Sequence, residues 1–169
     1  MRKARVRYDR ETSYYHLMNR VAGEADYYPF GPVEKEKLFA VAAEVSRSYS
    51  LDLLSMVAMG NHWHIVCAAP ADALSRDEVV ARWRATHPPG KAEPDWNNPD
   101  VLAKHAFRMR DISCFVQDFE RRFTRWYNLT RPSLRRGGLW MDRFRSVLLD
   151  KDTALWDCLT YVEMNPVRA

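Results

Sequence analysis

Two apolar runs, residues 51–59 and 62–69, constrain the fold most, because only Gly60-Asn61 separates them. Glycine and asparagine are well suited to the tight connection between two antiparallel strands. The two runs therefore predict a β-hairpin.

Other segments supply partners for this hairpin. Aromatic and branched residues predict a first strand over 13–21, and apolar residues at helical spacing predict a helix over 32–49. The same patterns predict a helix over 110–127, a strand over 144–149 and a final helix over 153–164. Without the final helix, this order matches an α+β fold with a ferredoxin-like antiparallel sheet, helices on one face and the other face free for a site.

A single domain over 1–169 is expected, because the chain is long enough for one core and too short for two comfortable ones. Hydrophobic residues make up 47% and charged residues 28%, which excludes a disordered or fibrous chain. Residues 70–107 are interpreted as an insertion or flexible crossover, with a short helix at 76–85 and a loop over 87–100.

The cysteines and the hydropathy pattern bear on location. Cys67, Cys114 and Cys158 are far apart and lack paired metal-ligand spacing, so reduced core thiols are favoured over a disulfide framework or zinc knuckle. No apolar stretch approaches the length of a membrane span. A cytoplasmic protein with no membrane partner is therefore expected.

Positive charge is concentrated in one segment. Residues 104–145 contain eleven basic and four acidic side chains, whereas the whole chain has a net charge of +4. Such clustering is typical of proteins that bind the phosphate backbone of nucleic acids. A solvated arginine-rich surface is the alternative interpretation.

The second strand of the hairpin carries His62 and His64. Successive side chains of a strand point to opposite faces, so both imidazoles project from one side while Trp63 faces the core. Two converging imidazoles suggest a metal site, although histidines buried without a ligand role are common. Another element has to supply the remaining ligands.

The final helix offers Tyr161 and Asn165, four residues apart and displaced from the apolar stripe of Leu155, Leu159 and Val162. An asparagine carboxamide added to two histidines makes an incomplete coordination sphere for Mg²⁺ or Mn²⁺. The alternatives are an ordinary half-buried tyrosine and an Asn-Pro helix stop.

Three motifs in order carry a family resemblance. The segments 57–66 (VAMGNHWHIV), 138–144 (GLWMDRF) and 161–169 (YVEMNPVRA) resemble those of the single-tyrosine HUH transposases, the insertion-sequence-200-like group, and most closely the REP-associated tyrosine transposases. The match is collinear from about residue 13 to 169. Gly60 stands where a proline is usual, and Glu163 stands where histidine or an aromatic residue is frequent.

The resemblance implies a ferredoxin-like domain with a tyrosine-bearing C-terminal helix across the open sheet face. It implies that His62, His64 and Asn165 bind Mg²⁺ or Mn²⁺ and that Tyr161 is the nucleophile. Cleavage and rejoining of single-stranded or hairpin DNA would then pass through a 5′-phosphotyrosine intermediate. Monomers are expected by analogy with the REP-associated branch, with a dimer as the alternative.

Arginines and one tryptophan are the candidates for DNA contact, because guanidinium groups follow the backbone and aromatic rings stack on bases. The candidates are Arg121, Arg122, Arg125, Arg135, Arg136, Trp140, Arg143 and Arg145. The alternatives are that Arg143 pairs with an acid such as Asp142 and that Trp140 is a core residue. His16 is a candidate supporting residue, because it or a metal-bound water could deprotonate Tyr161.

Two other classes of function remain. A non-catalytic hairpin DNA-binding protein derived from such a transposase would have lost the use of Tyr161. A mononuclear Zn²⁺ hydrolase could use His62 and His64, but the sequence lacks a second strong ligand motif and Tyr161 would have no role.

Overall fold

The computed structural model describes residues 11–24, 26–131, 135–151 and 153–165. Its strands are β1 (Ser13–Arg20), β2 (Asp52–Ala58), β3 (His62–Ala69) and β4 (Arg145–Leu149). Its helices are α1 (Pro32–Ser46), α2 (Arg76–Thr86), α3 (Pro99–Met109), α4 (Ile112–Leu129) and α5 (Thr153–Met164). The element order predicted from the sequence is confirmed, with α3 as an addition.

The strands form one antiparallel sheet in the order β2-β3-β1-β4. This is the order of a ferredoxin-like fold, in which the first and third strands lie side by side at the centre. The register places Met18 opposite His64 and Arg20 opposite His62. The two centre strands therefore carry the predicted histidines in the middle of the sheet and not at an edge.

One face of the sheet packs against α1 and α4. Trp63, Ile65 and Cys67 of β3 are completely buried in this core. The ring of Trp63 lies edge-on to that of Phe119 on α4, with 5.3 Å between ring centroids. Because large apolar side chains leave water here, this face supplies most of the hydrophobic stabilisation and fixes which β3 residues face the other way.

The opposite face is covered in part by α5. Val162 of α5 is fully buried in a second cluster with Val57, Met59, Val66 and Leu149 from three strands. A tyrosine-bearing C-terminal helix on the open sheet face is therefore what the structure shows. Pro166 of the Asn-Pro helix stop lies outside the described residues.

The segment between β3 and α4 contains two helices. Val79 and Trp83 of α2 pack with Trp96 and with Met109 of α3 in a small cluster of their own. Helix α3 was not predicted, because its proline start resembled a loop; Pro99 in fact occupies the first turn. Within the described part of the chain, no helix is long and apolar enough to cross a membrane.

Candidate active site

Three histidines lie on the sheet face that α5 covers. His62 and His64 alternate with the buried Trp63 along β3, and His16 of β1 is aligned with Val66, which packs under α5. The rings of His62 and His64 are 5.1 Å apart between centroids. Strand alternation thus brings the two predicted ligands to one side, and the β1–β3 register adds His16.

His64 is held by His16. The Nε2 atom of His16 lies 2.9 Å from Nδ1 of His64, and both side chains are buried. One of these nitrogens donates the proton and the other accepts it. When His64 is the donor, its Nε2 carries a free lone pair, as a metal ligand requires.

His62 is held by its neighbour Asn61. The Asn61 side-chain Nδ2 donates to the carbonyl of Tyr27 at 3.1 Å, which leaves Oδ1 to accept from His62 Nδ1 at 2.8 Å. The Nδ1 atom of His62 therefore carries the proton, and Nε2 keeps its lone pair. Asn61 was read from the sequence only as a turn residue; in the structure it fixes the tautomer of a predicted ligand.

The environment keeps all three imidazoles neutral near pH 7. Burial, followed by the positive charges of His16 and His62, lowers the pKa of His64 to about 4. Burial and the nearby Arg20 guanidinium lower the pKa of His62, and burial lowers the pKa of His16. Neutral imidazoles are the form that binds metal ions.

Tyr161 of α5 stands over the histidines. Its ring centroid is 6.0 Å from that of His64 and 6.3 Å from that of His16, and the residue is 46% exposed. The phenol is therefore close to the imidazoles and open to an incoming substrate. The next residue of α5, Val162, is fully buried against the sheet and holds Tyr161 in place.

Tyr161, His62 and His64 line a cleft of about 630 Å³. Three guanidinium groups also line it: Arg20, Arg143 and Arg145. Tyr28 is a second tyrosine at the rim, 65% exposed, and its ring lies against Gly60, where a Cβ would come within 2.9 Å of it. Gly60 thus leaves room for the Tyr28 ring beside the hairpin turn.

Asn165 follows directly after α5. Its Nδ2 atom is buried and has no hydrogen-bond partner among the residues that the structure describes. A carboxamide with an unsatisfied buried atom can turn over to present its oxygen to a cation. Among the described residues, no group of three His, Cys, Asp or Glu side chains could hold a metal ion. Asn165 is not among the residues that line the cleft, so only the donor types of His62, His64 and Asn165, and not their contacts, match an incomplete two-histidine, one-amide set.

The predicted DNA-binding residues fall into separate places. Arg143 and Arg145 line the cleft, and Arg121, Arg125 and Trp140 line a neighbouring pocket that Arg143 shares. Within the described ranges, Arg143 has no ion pair with Asp142. The Trp140 ring packs against the core rings of Phe30 and Phe123, as the core interpretation expects, and Trp140 also lines the pocket.

The other three arginines lie elsewhere. Arg122 forms an ion pair with Glu44 at 2.6 Å and borders a pocket formed with α2 residues. Arg135 donates to Asn128 Oδ1 at 2.9 Å and to the Gly138 carbonyl at 2.8 Å, which ties down its own loop. Arg136 is exposed. The structure does not bring these three into the cleft.

Sequence reasoning did not single out Arg20, Tyr28 or Asn61. Arg20 could have been found, since it lies on the same face of β1 as His16 by strand alternation. The roles of Tyr28 and Asn61 depend on contacts between separate segments, of Tyr28 with Gly60 and of Asn61 with Tyr27. No local sequence pattern reveals such contacts.

Two solved structures have a similar fold. A REP-associated tyrosine transposase bound to a REP hairpin aligns with 99% of this chain and 74% of its own, with a TM-score of 0.59 and 14% identity. A candidate transposase from Deinococcus radiodurans R1 aligns with 96% of both chains, with a TM-score of 0.46 and 14% identity. No protein-family model and no curated protein matches the chain. The likeness to the first of these structures shows that the chain has the fold of a tyrosine transposase, the class that its sequence motifs resemble.

Proposed function

We propose that this protein is a metal-dependent, single-tyrosine transposase that cleaves and rejoins single-stranded DNA. One observation carries the proposal most: the Tyr161 phenol stands 6.0 Å, ring to ring, from His64 of the paired histidines, in a cleft lined by arginines. The fold likeness and the three ordered sequence motifs support the same class.

Tyr161 would act as the nucleophile. Its phenol oxygen forms a bond to the scissile phosphorus as the bond to the 3′-oxygen of the preceding nucleotide breaks. The phenol proton leaves during attack, and the departing 3′-oxygen takes up a proton to become a free hydroxyl. The product is a 5′-phosphotyrosine. Because it remains a phosphodiester, a 3′-hydroxyl can attack it in reverse, so rejoining needs no nucleotide cofactor.

His62, His64 and Asn165 would hold Mg²⁺ or Mn²⁺. Bound there, such an ion supplies Lewis-acid polarisation of a non-bridging phosphate oxygen. His16 and Asn61 keep the two imidazoles oriented through Nδ1. Arg20, Arg143 and Arg145 would position the phosphate backbone across the cleft, since charge-assisted hydrogen bonds to phosphate are strong.

The substrate class follows from the shape and charge of the site. The cleft is open, cationic and bordered by the exposed ring of Tyr28, and stacking on such rings requires unpaired bases. The transposase of similar fold was solved with a REP hairpin. Single-stranded DNA that carries a hairpin is therefore the proposed substrate.

The test is incubation of the protein with a labelled, hairpin-containing single-stranded DNA library and Mn²⁺, followed by a denaturing protein gel. Tyr161→Phe is compared with Tyr28→Phe, which removes the other tyrosine hydroxyl of the same cleft. We expect a DNA-linked band for the wild type and Tyr28→Phe, lost in Tyr161→Phe and in EDTA. DNA binding without any linked band would instead favour a non-catalytic hairpin-binding protein.

A further inference from the structure

A second pocket, which we call the base pocket, lies between α4 and segment 138–144. It has a volume of about 600 Å³. Helix α4 contributes Glu120 and Arg125, and the segment contributes Trp140 and Arg143. Its lining combines one carboxyl group, guanidinium groups and aromatic rings. Apart from Arg143, these groups have no part in the proposed chemistry at Tyr161.

Glu120 is the unusual member of this lining. Its Oε1 accepts a hydrogen bond from Asn19 Nδ2 at 2.6 Å. Burial raises the pKa of the Glu120 carboxyl to about 7, with the Asn19 hydrogen bond acting in the opposite sense. Among the described residues, no ion pair involves Glu120, although guanidinium groups line the same pocket. Glu120 is half-buried, and a carboxyl group that is partly removed from water without a cation is destabilising unless hydrogen-bond donors satisfy it.

The arginines of the pocket are available for anions. Arg125 and Arg143 are exposed, and neither has an ion pair in the ranges that the structure describes. Arg121 is already paired with Asp118 at 2.9 Å. The pocket thus offers positive charge to a phosphate and a hydrogen-bond acceptor to a group that donates.

The base pocket adjoins the cleft. Arg143 lines both, and Asn19, which lines the cleft, also donates to Glu120. A DNA strand that runs from the scissile phosphate along Arg143 would therefore reach the mouth of the base pocket.

We propose that the base pocket binds an unpaired guanine of the DNA substrate, with Glu120 accepting hydrogen bonds from its Watson–Crick edge. This inference rests on the proposed function and gives it a base preference. Guanine presents two adjacent donors, N1–H and N2–H, to a carboxylate that only accepts. Adenine and cytosine present one donor beside an acceptor, and the N3–H of thymine lies between two acceptors. Trp140 and Phe144 supply apolar surface for the ring.

The substitution Glu120→Gln tests the acceptor directly. Asn19 Nδ2 would keep the amide oxygen, so the amide NH₂ would face the pocket and oppose the guanine donors. Glu36→Gln on the exposed side of α1 is the matched control. All proteins carry Tyr161→Phe, so that only binding is measured.

The full chain is first used to select ligands from a randomised single-stranded DNA library. We expect one enriched guanine position, lost in Glu120→Gln and retained in Glu36→Gln. That guanine is then replaced by inosine, which lacks the N2 donor, or by 7-deazaguanine, which keeps both donors. Inosine should weaken binding about tenfold, 7-deazaguanine should not, and Glu120→Gln should not distinguish guanine from inosine.

Guanine enrichment that survives Glu120→Gln, or inosine and guanine binding equally to the parent protein, would overturn the base pocket. So would DNA binding without any guanine preference. The two proposals can fail separately. If DNA binds with this preference but never becomes linked to Tyr161 of the wild type, the proposed enzyme activity is wrong and the guanine-binding proposal stands. If the protein binds no DNA, both proposals are wrong.

Discussion

Nε2 of His16 lies 2.9 Å from Nδ1 of His64, between two buried imidazoles on neighbouring strands. This contact gives His16 a role that does not require it to touch DNA. As the acceptor, it holds the His64 proton on Nδ1 and frees Nε2 for a metal ion, as the outer partners of metal-bound histidines commonly do.

Replacing His16 should weaken metal binding. We expect His16→Phe to reduce Mn²⁺ affinity by about tenfold or more, because His64 loses its acceptor. His16→Gln, whose side-chain oxygen can still accept, should keep most of the affinity. Calorimetric Mn²⁺ titration measures both. Equal losses in the two variants would indicate that His16 is itself a ligand, and no loss in either would contradict the orienting role.

Asn61 should matter in the same way for His62. Asn61→Ala removes the acceptor at 2.8 Å from Nδ1 and frees the imidazole to rotate. We expect a loss of Mn²⁺ affinity of about tenfold. Asn128→Ala, which removes hydrogen bonds with Gly137 and Arg135 at the end of α4 and does not touch the cleft, should leave the affinity unchanged. Unchanged affinity in Asn61→Ala would mean that the strand alone orients His62.

The arginines should separate into two groups by salt dependence. Arg143→Ala should lower the slope of log K against log salt by about 1, since Arg143 lines both the cleft and the base pocket. Arg122→Ala should leave the slope nearly unchanged, because that side chain is paired with Glu44. Fluorescence anisotropy over a salt series measures both. A larger effect of Arg122→Ala than of Arg143→Ala would indicate that DNA binds near Arg122 and not across the cleft.

Glu120 should make stability depend on pH. Its folded pKa of about 7 lies above the ordinary 4.5, so its favourable contribution is complete below pH 4.5 and is lost as the pH rises through 7. As the pH rises from 5 to 8, the wild type should therefore lose on the order of 2 kcal/mol of its free energy of unfolding relative to Glu120→Gln, which does not titrate. Urea denaturation at the two pH values measures this. A constant difference would show that Glu120 is ionised normally in the fold.

Local patterns predicted most of the fold because the elements are strongly periodic. The hairpin follows from two apolar runs joined by the turn residues Gly60-Asn61, and the amphipathic α4 and the buried stripe of α5 follow from side-chain spacing. Helix α3 was missed because Asn98 and Pro99, which cap and start it, are also loop residues. Propensity cannot separate those roles without the tertiary contact that α3 makes with α2.

The site was predictable in part, for the same physical reason. Strand alternation puts His62 and His64 on one face, and helical spacing keeps Tyr161 off the core. The His16 contact needs the β1–β3 register, and the division among arginines needs their acidic partners, such as Glu44 for Arg122. The ligand roles of His62, His64 and Asn165, the nucleophilic role of Tyr161, the DNA contacts and the monomeric state remain predictions.

The most direct test of the central claim is the identity of the linked residue. DNA-linked protein is isolated, digested with nuclease and trypsin, and sequenced by mass spectrometry. Tyr161 is the only tyrosine in the tryptic peptide 152–168. We predict that this peptide carries a nucleotide joined through a 5′-phosphate to Tyr161. A nucleotide on Tyr28 or any other residue, or linked through a 3′-phosphate, would contradict the account.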